Sequence, residues 1–317
     1  MRAKYRHALP QLGERLFLTD GGLETTLIFH DGLALPHFAA FVLLQDAAGR
    51  AALERYYRAY IEIALRDRRG LVLDSPTWRA NPDWGAELGF DAAALDRINR
   101  EGVDFVAALR AAHETPESPM VVSGCLGPRG DGYNPASFMT AAEAEDYHSP
   151  QIASFAAASA DLATVLTMTY VEEAIGVARA ARSAALPAAV SFTVETDGHL
   201  RSGMSLAEAI EACDAATGGY PVYYMVNCAH PTHFRDHLGG GAWRERIGGI
   251  RANASKMSHA ELDEAPKLDD GDPVELGQDY VGLMRLLPRV HVLGGCCGTD
   301  HRHIGEISRA CGHAHAA

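Results

Sequence analysis

Three cysteines occupy positions at which a chain can do metal chemistry. Cys228 follows an apolar run ending Val226-Asn227, and Cys296 and Cys297 follow a second ending Leu293-Gly294-Gly295. Three converging thiolates make a soft donor set that suits Zn2+ and leaves a fourth position open, the mark of a catalytic rather than a structural site. Adjacent cysteines normally point apart, so both can reach one ion only from a turn, which Gly294-Gly295 and Gly298 permit. The same three side chains could equally be small buried hydrophobes, and Cys-Cys is not a standard zinc spacing. Cys125 also ends an apolar run and reads as a wall residue. Cys213 and Cys311 fall in helical stretches and read as core. The chemistry such a centre offers is thiol activation. An alkyl thiol with a pKa near ~8.5 is mostly protonated at neutral pH. Coordination removes that proton, and the excess negative charge of three cysteine ligands keeps the bound sulfur nucleophilic. Attack by such a sulfur on an alkyl carbon needs a good leaving group, and an onium centre is one. Trp78, Trp84 and Tyr133 could box such a cation, or could simply anchor their loops.

Positioning these residues requires strands that end on one rim. Apolar runs at 16–19, 71–73, 120–123, 162–167, 188–193, 222–227, 247–252 and 290–294 alternate with helical stretches. In the first long stretch Leu53, Tyr57, Tyr60, Ile61 and Ala64 recur at three- and four-residue spacing. Thr140 and Ser205 stand where helix caps belong. Alternating βα units imply a parallel sheet, and eight of them favour a closed (β/α)8 barrel, an α/β TIM barrel, over an open doubly wound sheet. Chemistry in such barrels sits at the strand ends, so Cys228, Cys296 and Cys297 share the C-terminal rim with Asp20-Gly21-Gly22, Asp74 to Asn81, Thr167, Glu195 and Asn253. No linker divides the chain, which reads as one domain over residues 1–317, with 1–14 and 313–317 as loose ends.

Composition narrows the function. Lys and Arg total 28 against 41 Asp and Glu, a net charge of −13. No basic face or run suits a nucleic-acid partner. No stretch approaches the about 20 apolar residues of a membrane span, and the start lacks a secretory core. Six cysteines in 317 residues are not a disulfide framework. A cytoplasmic enzyme acting on small molecules is expected; an acidic field tolerates a cationic one. A homo-oligomer is open.

Asp20-Gly21-Gly22-Leu23-Glu24-Thr25, Val226-Asn227-Cys228 and Leu293-Gly294-Gly295-Cys296-Cys297-Gly298-Thr299 resemble the homocysteine S-methyltransferase family, and the resemblance runs from about Leu16 to Ile307. It implies a (β/α)8 barrel with Zn2+ on Cys228, Cys296 and Cys297, the sulfur of homocysteine in the open position, and methionine as product. The Asp20-Gly21-Gly22 turn would hold the amino-acid end, with Thr167 and Asn227 beside it. Trp78, Arg79 and Tyr133 would face the methyl donor. Two positions depart from the family pattern. The strand-four glutamate that helps hold the homocysteine ammonium is replaced by Leu166, which points to Glu195, Asp20 or Asp74 as the substitute. Arg79 puts a cation in the donor region, where it would bind a carboxylate or turn outward. The alternatives are the same thiol alkylation on another acceptor, a non-catalytic zinc barrel, or a metal-free lyase; the last is disfavoured because Lys256 and Lys267 lie in a loop rather than at a strand end.

Overall fold

In the computed structural model, which describes residues 3–135, 137–265 and 267–315, eight parallel strands close into a barrel in sequence order. They are β1 (Phe17–Leu18), β2 (Gly70–Asp74), β3 (Met120–Leu126), β4 (Leu162–Met168), β5 (Ala188–Phe192), β6 (Tyr223–Asn227), β7 (Ile247–Ala252) and β8 (Val292–Gly295). β1 pairs with both β2 and β8, which closes the ring and leaves no edge. Each apolar run of the sequence became a strand. The outer ring follows the same order: α1 (Ala47–Asp67), α2 (Ala92–His113), α3 (Ala141–Ala157), α4 (Val171–Ser183), α5 (Leu206–Thr217), α6 (Pro231–Phe234), α7 (Pro273–Leu286) and α8 (His301–His315).

The helices form where periodicity and caps agree. In α1 the stripe Leu53, Tyr57, Tyr60, Ile61 and Ala64 is buried. Asp46 caps its start by accepting a hydrogen bond from the Gly49 amide. Thr140 and Ser205 each complete a capping box, with Glu143 and Glu208. The sixth helix is the exception, a single turn that gives way to 3-10 turns and the Gly239-Gly240-Gly241 loop.

Packing divides into two layers. Side chains between sheet and helices form the larger core, while Phe17, Val72, Val121, Leu162, Leu166, Ala189, Met225 and Val292 fill the barrel. The start of the chain makes specific contacts with the barrel. The Lys4 and Tyr5 amides donate to Asp161, Arg6 donates to the Ala158 and Ala160 carbonyls, and Leu9 packs into the barrel interior. Asp161, which also pairs with Arg110 at 2.6 Å, anchors this segment at the end of the barrel opposite the cysteines. The side chains of 313–317 lie outside the described residues. Among the described residues no helix is long and apolar enough to cross a membrane.

Candidate active site

The strand ends bring the three cysteines together. The sulfurs of Cys228, Cys296 and Cys297 all lie within 4.8 Å of one another, on the wall of a cavity of about 340 Å³. Cys228 ends β6, while Cys296 and Cys297 enter a turn after β8 that Gly298 completes with φ +78°. A Cβ on Gly298 would meet the Asp269 carbonyl oxygen at 2.8 Å, so the turn demands glycine twice over, for conformation and for space. The loop after β1 nests against this turn. The Gly22 amide donates to Thr299 O at 2.9 Å, and a Cβ on Gly22 would lie 2.7 Å from Cys296 O. The Asp-Gly-Gly and Gly-Gly-Cys-Cys-Gly-Thr motifs are therefore two halves of one packed unit.

Cys228 and Cys296 are joined as a disulfide. The bond follows from the convergence expected of a zinc site, since sulfurs close enough to share an ion are close enough to bond when oxidised. Once that bond is reduced, the set fits Zn2+. With Zn–S near ~2.3 Å, tetrahedral ligands sit about 3.8 Å apart, within the range found here. Cys125 lies apart from this cluster, buried in the barrel-filling core, where burial pushes its thiol well above the usual range. It is a neutral wall residue, as expected, and Cys213 and Cys311 are buried in α5 and α8.

The residues behind the sulfurs hold an unusual backbone. Cys228 (φ +53°) and Thr167 (φ +65°) are both left-handed without being glycine, a conformation that persists only where neighbours over-determine it. Asn227 supplies one clamp: its side-chain oxygen accepts from the Thr167 amide and its nitrogen donates to Thr167 Oγ1, both at 2.9 Å. That nitrogen also lies 3.8 Å from Cys296 Sγ. The second clamp is on the Cys228 carbonyl, which accepts from Asn253 Nδ2 at 3.0 Å and from His259 Nε2 at 2.7 Å. A carbonyl only accepts, so His259 carries a proton on Nε2. Tyr133 stacks on the His259 ring at 4.0 Å and brings its hydroxyl within 3.5 Å of Cys297 Sγ.

Charge in the cavity is arranged differently from the sequence reading. Asp20 and Asp74 line the cavity but are not free carboxylates. Both pair with Arg251, at 2.6 and 2.5 Å, and the three side chains are buried. Burial pushes the Asp20 carboxyl up to about 6, against the pull of Arg251. Glu195 does not line the cavity; it sits 3.5 Å from the His259 ring, which lowers its pKa. Glu24 lines the cavity beside Asp20 and Asp74, and burial pushes its carboxyl up to about 7. Leu166 faces the same cavity as an apolar wall.

The aromatic box is also corrected. Trp84 stays outside the cavity, and the Arg79 guanidinium lies between Trp78 and Trp84, 4.4 and 4.5 Å from their ring centres. The pair of indoles holds a cation of the protein's own. Arg79 does not turn to solvent. It is 9% exposed, lines the cavity and gives one hydrogen bond to Gly130 O, while its Nε has no partner. Trp78, Tyr133, Thr167, Gly21 and Gly22 line the cavity as expected, and Asn227 stands behind it. Of the loop histidines, His30, His37, His230 and His233 do not line it; His230 instead caps the α6 turn through Thr232.

Sequence reasoning missed Arg251, Glu24 and His259 in these roles. Arg251 had a signal, a charge inside the otherwise apolar run Ile247–Ala252. Glu24 lay within a motif whose glycines drew the attention. His259 is remote from both motifs, at the start of a short helix (His259–Glu264) after β7.

The closed parallel barrel thus carries at its C-terminal rim a soft three-sulfur cluster that could hold Zn2+. The family model for homocysteine S-methyltransferase matches residues 17–311, and the chain belongs to that family. Among solved structures it is similar to the homocysteine methyltransferase MmuM of Escherichia coli in oxidised, metallated and apo forms. The TM-scores are 0.75, 0.73 and 0.65 at 18% identity, covering 96–97% of this chain and 99–100% of those. No curated protein gives a significant sequence match.

Proposed function

We propose that this S-methyltransferase moves a methyl group from a small sulfonium or quaternary ammonium donor to the thiol of homocysteine, giving methionine. The observation that carries the reading is the convergence of the Cys228, Cys296 and Cys297 sulfurs within 4.8 Å on the cavity wall. Reduced, these three are the ligands of Zn2+, which when bound supplies the Lewis acidity that keeps a substrate thiol deprotonated at neutral pH.

The chain's own residues do the rest. Asn227, Asn253 and His259 hold the backbone that carries the ligands. The Tyr133 hydroxyl beside Cys297 Sγ offers a hydrogen bond that moderates the charge of that sulfur. Arg251 pairs with both Asp20 and Asp74 and offsets one of their two charges, fixing the two carboxylates on the cavity wall. Trp78 and Tyr133 give the cavity apolar faces that exclude water from a transfer in which charge is being cancelled. In that transfer a sulfur–carbon bond forms as the donor's carbon–onium bond breaks, and the electron pair leaves with a neutral sulfide or amine.

The test is metal content and turnover together. Purified, reduced protein should hold about one zinc per chain and form methionine from homocysteine with at least one donor in a panel of sulfonium and trimethylammonium compounds. Cys296→Ala/Cys297→Ala should lose both zinc and turnover while keeping its circular dichroism spectrum. Full zinc retention by that double variant sinks the ligand assignment, and zinc-loaded protein inert toward homocysteine with every donor sinks the acceptor.

A further inference from the structure

Most of the cavity's charged groups are already committed to protein partners. Asp20 and Asp74 are bound to Arg251. Asp131 accepts from the amides of Tyr133 and Asn134, and Asp269 accepts from Ser255 and from the Gly271 amide. Lys267 is exposed at the cavity's edge, and two less exposed groups of opposite sign stand out. Glu24 lines the cavity half-buried, accepts from its own backbone amide and, among the described residues, forms no ion pair and no hydrogen bond to another side chain. Arg79 also lines it, with its guanidinium flattened between two indoles and its Nε without a partner. Arg79 feels the charge of Asp131 first and of Glu24 next, yet forms an ion pair with neither among the described residues. A half-buried carboxylate and a buried guanidinium that line one cavity without closing on each other are costly unless something completes them.

We propose that Glu24 and Arg79 clamp the two ends of the acceptor's amino-acid head group, Glu24 taking its ammonium and Arg79 its carboxylate. The substrate class this selects is a thiol carrying an α-amino-acid zwitterion. The inference rests on the homocysteine reading above and refines it. It also accounts for Leu166: with the ammonium met from the β1 loop, an apolar residue at the end of β4 leaves nothing unpaired. The indoles keep the guanidinium plane fixed, which favours a two-point contact with a carboxylate.

The test crosses two variants with three thiols. Homocysteine carries both charges, 4-mercaptobutyrate lacks the ammonium, and 3-mercaptopropylamine lacks the carboxylate. Dissociation constants are measured calorimetrically on zinc-loaded, reduced protein, with KM and kcat for homocysteine alongside. Glu24→Gln should weaken homocysteine and 3-mercaptopropylamine at least tenfold and leave 4-mercaptobutyrate within about twofold. Arg79→Gln should show the mirror pattern, weakening homocysteine and 4-mercaptobutyrate. Glu24→Asp and Arg79→Lys should recover part of the loss, and the effect should fall on KM more than on kcat. Equal loss for all three thiols in a variant means a structural role and overturns the clamp, as does homocysteine affinity unchanged in Glu24→Gln. Wild-type protein that neither binds nor methylates homocysteine overturns the functional reading itself, a result distinct from either.

Discussion

A carboxylate drawn out of water without a cation beside it is a liability to stability, and Glu24 lets that liability be measured. Its folded-state pKa is raised to about 7, chiefly by burial, with Asp20 adding to the shift and Arg79 and Arg251 opposing it. A raised acid pKa means that the folded state holds a proton the unfolded state has released. The group's contribution to stability is therefore lost as pH rises from about 4.5 to about 7. Glu24→Gln should match wild type near pH 4 and be more stable at pH 8, by ~1–3 kcal/mol at about 1.4 kcal/mol per pKa unit. Urea denaturation of ligand-free protein at both pH values checks this, and an advantage that is constant with pH would refute it. Arg251 is the opposite case. Arg251→Leu leaves Asp20 and Asp74 buried together without their shared cation, and should cost about 3–5 kcal/mol by the same measurement. A loss under 1 kcal/mol would mean that the two carboxylates find protons or water instead.

At the level of elements, two loops after adjacent strands build the centre jointly. The β8 turn needs Gly298 for its left-handed conformation and for the close approach of Asp269 O. Gly298→Ala should therefore displace Cys297 while β8 stays paired in the ring. The expected outcome is zinc content reduced well below one per chain in a protein whose thermal midpoint falls by no more than a few degrees, since the strand ladder and the barrel-filling core are untouched. Retained zinc would show that the turn can relax around a methyl group. The irregular β4–β5 pairing, where register shifts between Val165 and Met168, belongs to the same economy. It releases Thr167 from the ladder so that Asn227 can hold it instead.

For the whole molecule, the barrel separates stability from chemistry by placing them at opposite ends. The N-terminal segment and Asp161 seal one end, and the sulfur cluster occupies the other. The Cys228–Cys296 bond couples that cluster to redox state, since a sulfur in a disulfide is not a thiolate ligand. Protein oxidised before metal is offered should take up less than 0.1 zinc per chain (roughly the background of a metal analysis), and reductant should restore about one. Equal uptake in both states would place the metal elsewhere.

The eight strands, the stripe on α1 and the caps at Thr140 and Ser205 could be read from the chain because they follow local rules: period, propensity and side-chain-to-backbone bonds within a few residues. The cysteine cluster could be read because strand order and motif both place Cys228 and Cys296-Cys297 on one rim. The electrostatics could not. Whether Asp20, Asp74, Glu195 or Glu24 meets a substrate cation depends on which of them Arg251 and His259 already occupy, and those partners come from β7 and the loop beyond it, up to 231 residues away in sequence. The same holds for Trp78 and Trp84, whose faces are filled by Arg79 rather than left for a ligand. Residue type and spacing determine which groups arrive at the rim. Pairing among buried charges depends on ångström distances between strands, and only the closed barrel decides those.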